Sequence, residues 1–335
     1  MKQTIVVGHK HIGFNERAFI IAEAGSNHNQ NLDQAKKLID VAAASGVDAV
    51  KFQLFKAEFL YAPGDPAFNI VKDNELPRQW VDTLMGYANK KGVIFLATPF
   101  DHEAVDLLDD CGMPVFKIAS SEVTNFIFLR YVASKKKPVI LSTGMSDMSD
   151  VYDAVNVIRQ TGNQDIVLLQ CSALYPTPVS QVHLRVMDTL KEVFHVPVGF
   201  SDHTLGILFP AVAVACGACV VEKHFTLDRT LPGPDHSYAI EPGELVQMVR
   251  DIRAVEAGLG VSEKKFLPDE KAQTRRESLF AARDMKFGEI FKIEDVVIQR
   301  PATGLPVRFL KFVLGQKINR PIKKDDPLAW DMLGG

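Results

Sequence analysis

The sequence predicts an α/β protein, a (β/α)8 TIM barrel followed by a small β-rich domain. Eight short apolar, β-rich runs recur with an amphipathic stretch after each one. Eight such units in about 250 residues match a closed barrel in number and length. The alternation then stops in a charged segment after Gly260. An open doubly wound sheet would carry a glycine-rich fingerprint after its first strand, and Glu23-Ala-Gly-Ser-Asn-His28 is not one.

Taken in order, strands are expected at 18–24, 49–54, 93–98, 115–119, 138–143, 166–171, 196–201 and 219–226. Their Val, Ile and Phe content suits strands covered on both faces. Helices are expected at 33–45, 76–91, 101–111, 125–135, 149–160, 183–194, 205–215 and 241–259, the first opening on Asp33 as its cap and closing on Gly46. Residues 1–262 make the barrel domain, and 263–276, charged and aperiodic, read as a linker. Residues 277–335 form the small domain, in which 282–294 is weakly echoed by 319–331: Arg283 corresponds to Arg320, Lys286 to Lys323 and Glu294 to Asp331.

Composition narrows the function classes. The chain of 335 residues is 47% hydrophobic and 24% charged, with a formal net charge of −3, as in an ordinary globular protein. That balance leaves no broad basic surface for nucleic acid, while a local anion site stays open. The first residues lack a charged-then-apolar export pattern and no run of about 18 apolar residues occurs, so a cytoplasmic protein without a membrane segment is expected. The cysteines Cys111, Cys171, Cys216 and Cys219 are too scattered for a disulfide framework, and Cys216-Gly-Ala-Cys219 reads as core packing.

In a barrel the strand C-termini share one face. The residues there include Glu23, Lys51, Gln53, Thr98, Lys117, Ser120, Glu122, Ser142, Tyr175, Ser201, His203, Glu222 and His224. Lys51 and Lys117 each sit inside an apolar run, where an unpaired ammonium would be expensive. Either they form internal ion pairs with Glu23 or Glu122, or together they hold a small doubly charged substrate such as a phosphate with a carboxylate. Thr98, Ser120, Ser142 and Ser201 would donate to that anion, although single serines are more often turn formers. Glu23 and Glu122 suit general acid–base work. His203 and His224, at neighbouring strand ends, suit a divalent ion whose remaining positions are left to water and substrate oxygens.

These residues fall within a set of motifs: Ile21-Ala-Glu-Ala-Gly-Ser-Asn-His-Asn29, Val50-Lys-Phe-Gln53, Lys117-Ile-Ala-Ser-Ser-Glu122, Leu141-Ser-Thr-Gly-Met145, Tyr175-Pro-Thr-Pro178, Gly199-Phe-Ser-Asp-His-Thr204, Glu222-Lys-His-Phe-Thr226 and Pro232-Gly-Pro-Asp-His236. In this order and spacing they resemble the bacterial sialic acid (N-acetylneuraminate) synthases and their legionaminate and pseudaminate relatives. Gln299-Arg-Pro-Ala-Thr-Gly304 and its surroundings resemble the SAF, or antifreeze-like, domain of those enzymes.

The resemblance implies condensation of phosphoenolpyruvate with an N-acylated amino hexose, giving a nine-carbon 2-keto acid and phosphate. The acceptor would be N-acetylmannosamine or, on the legionaminate branch, 2,4-diacetamido-2,4,6-trideoxymannose. His203 and His224 would hold a divalent metal, commonly Mn2+ with Mg2+ or Co2+ as alternatives. Lys51, Thr98, Lys117, Ser120, Ser142 and Ser201 would bind phosphoenolpyruvate, with Glu23 and Glu122 at the reacting centre. Gln53, Tyr175 and Asp235 would face the sugar. Arg300 matches the arginine that the SAF domain brings over the partner's site in a domain-swapped homodimer. Where the family often has Asn before the Tyr-Pro-Thr-Pro motif, this chain has Ala173, and Ser172 is the neighbouring hydroxyl. Two rival readings of the residues are a metal-dependent sugar isomerase and a non-catalytic carbohydrate-binding protein.

Overall fold

The computed structural model describes residues 4–273 and 275–334; Met1–Gln3, Thr274 within the expected linker, and Gly335 lie outside. Two compact units are present, one up to Gly260 and one from Val261 onward. The first opens with a hairpin that the sequence did not announce, β1 (Thr4–Val7) and β2 (Lys10–Gly13). Its Ile5, Val7 and Ile12 are buried with the barrel core, and Gly8 at its turn lies against Ile94.

The eight parallel strands are β3 (Phe19–Gly25), β4 (Ala49–Leu54), β5 (Ile94–Pro99), β6 (Phe116–Ile118), β7 (Val139–Ser142), β8 (Ile166–Cys171), β9 (Val198–Asp202) and β10 (Val220–His224). They ladder in the order β5-β4-β3-β10-β9-β8-β7-β6, and β5 and β6 at the two ends lie side by side. The fold is a (β/α)8 barrel. Nearly every strand residue is buried, because side chains facing outward meet helices and those facing inward fill the barrel.

The helices of this unit are α1 (Leu32–Ser45), α2 (Ala57–Leu60), α3 (Pro66–Lys72), α4 (Val81–Lys91), α5 (His102–Asp110), α6 (Phe126–Ser134), α7 (Met148–Gln160), α8 (Val186–Phe194), α9 (Leu208–Ala215) and α10 (Pro242–Leu259). The cap of α1 is Asn31, not Asp33: its side chain accepts from the amides of Asp33 and Gln34, both at 3.0 Å. Asp33 instead places its charge in the first turn, where the helix dipole favours it. Gly46 does close the helix, at φ +78°. The helix expected from 76 begins at Val81, because Pro77 opens a tight turn over Arg78–Trp80 first. Strand β6 is cut short in the same way by the turn Ser120–Glu122.

The short helices α2 and α3, between β4 and α4, were also not expected, since they lack an apolar stripe long enough to read. Asp65 caps α3 through the amide of Ala67 at 2.8 Å, with Pro66 in the first turn. Of the cysteines, Cys219 is core as expected, but Cys216 is exposed at the end of α9.

The second unit contains a one-turn helix α11 (Pro268–Ala272) inside the segment read as a linker. Beyond it lie β11 (Ser278–Ala281) paired with β12 (Val296–Gln299), a short helix α12 (Leu310–Val313), and β13 (Lys317–Ile318) paired with β14 (Leu333–Gly334). The sequence echo is structural. The offset that relates Arg283 to Arg320 also relates Met285 to Ile322, and these two exchange backbone hydrogen bonds of 2.8 and 3.0 Å. Leu279, Phe291, Leu305, Ile318, Leu328 and Met332 belong to a separate small core.

Candidate active site

The barrel strands bring the predicted residues to one end because their registers align them. Glu23 on β3 pairs with Lys51 on β4 and with His224 on β10. Gln53 lies opposite Thr98, and Glu222 opposite Ser201. Glu23, Lys51, Gln53, Thr98, Lys117, Ser120, Ser142, Tyr175, Ser201, His203 and His224 all line one small cavity, together with Glu222 and Cys171. Twelve residues named from sequence, Glu222 among them, therefore converge from all eight strand ends or the turns that follow them.

At its floor is a buried charge cluster. The Lys51 ammonium lies 2.7 Å from Glu23 Oε2 and 3.7 Å from Glu222 Oε2, and donates to Thr98 Oγ1 at 2.9 Å. That of Lys117 lies 3.4 Å from Glu222 Oε1 and donates to Ser142 Oγ at 2.7 Å. Ser201 Oγ donates to Glu222 Oε1 at 3.1 Å, and Gln53 Nε2 to Glu23 Oε1 at 3.0 Å. The internal ion pairs are thus real, but their partners differ from those expected: Glu222, not Glu122, is the carboxylate beside Lys117. Strand alternation puts Glu222 on the same inward face as His224, but which lysines it meets depends on the order of the strands.

Burial and charge divide the two carboxyls. Burial pushes Glu23 up to about 7, against the pull of Lys51. Burial works on Glu222 too, but Lys117 and Lys51 outweigh it and hold the group at about 2. For Lys51 the same burial is outweighed by Glu222 and Glu23, which raise it, whereas Lys117 is lowered, burial being the largest cause. Two lysines and two carboxyls thus share one buried pocket, with burial opposing the charged form of each.

The imidazoles of His203 and His224 stand beside this cluster with ring centroids 5.3 Å apart. Burial lowers His203 to about 3 and His224 to about 4, so both are neutral. His203 Nδ1 donates to the Ser172 carbonyl at 2.9 Å, which leaves a lone pair on its other nitrogen. His224 Nδ1 is buried with no hydrogen-bond partner. Two neutral imidazoles, one with an unsatisfied nitrogen, fit a divalent ion. Among the described residues no group of three or more His, Cys, Asp or Glu gathers for one. The half-exposed ring of Tyr175 covers His203 at 4.2 Å.

A second, larger cavity of about 430 Å3 adjoins the first, sharing Gln53 and Phe100 as walls. Asp235 lies here. Its Oδ2 accepts from Ser26 N and Oγ at 3.1 and 2.9 Å, and its Oδ1 from Tyr238 at 2.7 Å. Glu122 lines this outer cavity and not the inner one, its oxygens accepting from Ser121 at 3.2 Å and Asn125 at 3.0 Å. The turn at 120–122 carries it away from Lys117. The Ser172 hydroxyl, next to the position where the family often has Asn, donates to the Gln181 carbonyl at 2.6 Å. Arg300 belongs to the second unit, on a cavity that also gathers Arg275, Arg276 and Arg308.

Comparison with known proteins decides the kinship. Residues 38–264 match the NeuB family and residues 276–334 the SAF domain. The chain belongs to the NeuB family. Within it, N,N'-diacetyllegionaminic acid synthase of Campylobacter jejuni is 41% identical over 93% of this chain and 98% of its own. N-acetylneuraminate-9-phosphate synthase of Homo sapiens is 32% identical over 96% and 94%. The crystal structure of the N-acetylneuraminic acid synthetase of Leptospira borgpetersenii in complex with citrate superimposes with a TM-score of 0.77, at 36% identity, covering 81% of this chain and 95% of that one. The NeuB chain described here is a nonulosonic acid synthase of the transferase type. Among its described residues no helix is long and apolar enough to cross a membrane.

Proposed function

We propose that this NeuB-family chain condenses phosphoenolpyruvate with an N-acylated amino hexose, in a metal-dependent reaction, releasing phosphate and a nine-carbon 2-keto acid. The observation that carries the reading is the pair of buried lysines, each held beside a carboxylate, next to two imidazoles whose ring centroids lie 5.3 Å apart. A small molecule with a phosphate and a carboxylate would displace the internal contacts of Lys51 and Lys117 and take hydroxyl donors from Thr98, Ser120, Ser142 and Ser201. When bound at His203 and His224, a divalent ion, Mn2+ by family resemblance or else Mg2+ or Co2+, would supply Lewis acidity for the acceptor aldehyde.

The remaining work falls to the chain. C3 of phosphoenolpyruvate bonds to the aldehyde carbon, and the aldehyde oxygen takes up a proton. Water then adds at C2 and gives up one proton, and as the C2–O bond to phosphate breaks the new hydroxyl becomes the keto oxygen and its proton leaves with the phosphate. Glu23, held near neutrality, is suited to give the first proton and take the second. Lys51 and Lys117 fix the donor against the acceptor, which is where orientation contributes most. Gln53, Tyr175 and Asp235 would position the sugar.

N-acetylmannosamine is one acceptor that fits this chemistry. The higher identity to the legionaminate enzyme favours 2,4-diacetamido-2,4,6-trideoxymannose as the alternative. The test is phosphate release that requires phosphoenolpyruvate, Mn2+ and an amino sugar together; release without sugar counts against the proposal. Lys117→Ala should raise the KM for phosphoenolpyruvate, whereas a sugar isomerase on this barrel would be indifferent. In a domain-swapped dimer, Arg300→Ala should raise the acceptor KM and leave phosphoenolpyruvate binding little altered.

A further inference from the structure

Two of the sequence motifs end on residues that the chemistry leaves unused, Asn29 and His236. Neither lines the inner or the outer cavity, yet they meet behind the outer one. After β10 the chain leaves the barrel at Thr226 and returns at Ile240, where Thr226 N donates to the Ile240 carbonyl at 2.9 Å. Between those points the loop reaches the turn that follows β3. His236 is buried there with both ring nitrogens engaged: Thr226 Oγ1 donates to Nδ1 at 2.6 Å, and Nε2 donates to Asn29 Oδ1 at 3.0 Å. A carboxamide oxygen can only accept, which puts the ring proton on Nε2 and leaves Nδ1 to the hydroxyl. Gly233 closes the slot. A Cβ on it would stand 2.8 Å from His236 Cδ2 and 3.2 Å from Asn29 Oδ1, at a φ of +145°.

The turn needs such a clasp. Asn29 and Gln30 are consecutive residues at φ +48° and +49°, a left-handed pair that persists only where the surroundings impose it. A second bridge joins the same two segments one residue earlier, where Asp235 Oδ2 accepts from Ser26 N and Oγ. In the proposed condensation, on which the following rests, Asp235 faces the acceptor. We infer that His236 is a positioning residue for the acceptor: by tying the 226–240 loop to the turn after β3 through Asn29, it fixes the Asp235 carboxylate at the wall of the outer cavity without touching either substrate. Two of the hydrogen bonds that hold Asp235 come from Ser26, on the turn that Asn29 anchors, so loss of His236 loosens that carboxylate and its donors together. A displacement of about 1 Å is enough to cost a positioning contact much of its effect. The residues proposed to bind phosphoenolpyruvate stand on or just after β4, β5, β6, β7 and β9, away from both segments, so the effect falls on the sugar alone.

The experiment uses the full-length protein with phosphoenolpyruvate, Mn2+ and, in turn, N-acetylmannosamine and 2,4-diacetamido-2,4,6-trideoxymannose. His236→Ala should raise the acceptor KM about tenfold or more, while the KM for phosphoenolpyruvate stays within about twofold. His236→Gln, whose side-chain amide can donate to Asn29 as Nε2 does, should recover most of the acceptor affinity. Asn29 is half-buried and left-handed, so Asn29→Gly should fold; it removes the oxygen that accepts the Nε2 proton and should reproduce the His236→Ala effect. Hydrogen exchange reads the clasp apart from turnover: in His236→Ala the Ser26 amide should exchange about tenfold faster or more, with the amides of the barrel strands unchanged. Equal rises in both KM values, a native acceptor KM in Asn29→Gly, a glutamine variant no better than the alanine one, or unchanged Ser26 exchange overturns the inference while leaving the condensation intact. Absence of phosphate release from the native protein with both sugars overturns the condensation, and the acceptor role of His236 with it.

Discussion

Glu23 is fully buried, lies 2.7 Å from one ammonium and is poised near neutrality. Removing its charge frees Lys51 for the donor, so Glu23→Gln should lower kcat by roughly 10²- to 10⁴-fold without raising the KM for phosphoenolpyruvate. A proportional loss of donor affinity would contradict its acid–base role. A second residue-scale consequence concerns His28, buried between Phe52 and Trp80 and lowered from 6.5 to about 4 by that burial. Between these values the unfolded chain takes up a proton that the folded one refuses. The stability His28 permits is therefore full above pH 6.5 and falls as the pH drops toward 4. In metal-free protein, His28→Asn should flatten the dependence of the urea midpoint on pH across that window by close to one proton; an unchanged slope would refute it. Gly25 shows how tightly the site is drawn at this scale. Its φ of +52° and the 2.5 Å that would separate an added Cβ from Asp235 Oδ2 leave no room for Gly25→Ala.

At the scale of elements, the two strands that lead to the histidines, β9 and β10, are fastened to each other near their ends. Lys223 on β10 lies 2.7 Å from Asp202 Oδ2 on β9 and also donates to the Thr204 carbonyl, while Asp202 Oδ1 accepts from Thr204 N at 2.9 Å. Both side chains are fully buried. Breaking a buried pair from one side leaves an uncompensated charge, so Lys223→Met should destabilise the barrel by about 3–5 kcal/mol. Adding Asp202→Asn should recover part of that in chemical denaturation, and a double variant no more stable than the single one would contradict the pairing. The α2–α3 strap is the opposite kind of element. It carries few buried residues and is held by caps at Asp65 and by Asn74.

The whole molecule has two separate apolar cores, one in the barrel and one in the SAF unit. Each should melt as its own cooperative unit, the smaller being marginal because a domain of about 60 residues buries little surface. Calorimetry is expected to resolve two transitions, and residues 1–262 alone should keep the larger one. Loss of the barrel transition on truncation would show that its core is not self-sufficient.

Much of this was written in the chain before it folded. The eight apolar runs fixed strand number, since a strand covered on both faces must be apolar nearly throughout, and they set Lys51 and Lys117 inside strands, where a charge must find a partner, and His203 and His224 where two of the strands end. What tertiary structure alone decided is pairing. That Glu222 serves both lysines, that the 120–122 turn carries Glu122 to the outer cavity, and that Ser172 is spent on Gln181 all depend on which strand lies next to which and on side-chain direction. Periodicity records the face a residue takes, but not its neighbour across the barrel. The strap was illegible for another reason: helices of four and seven residues are too short to show an apolar stripe that periodicity could read.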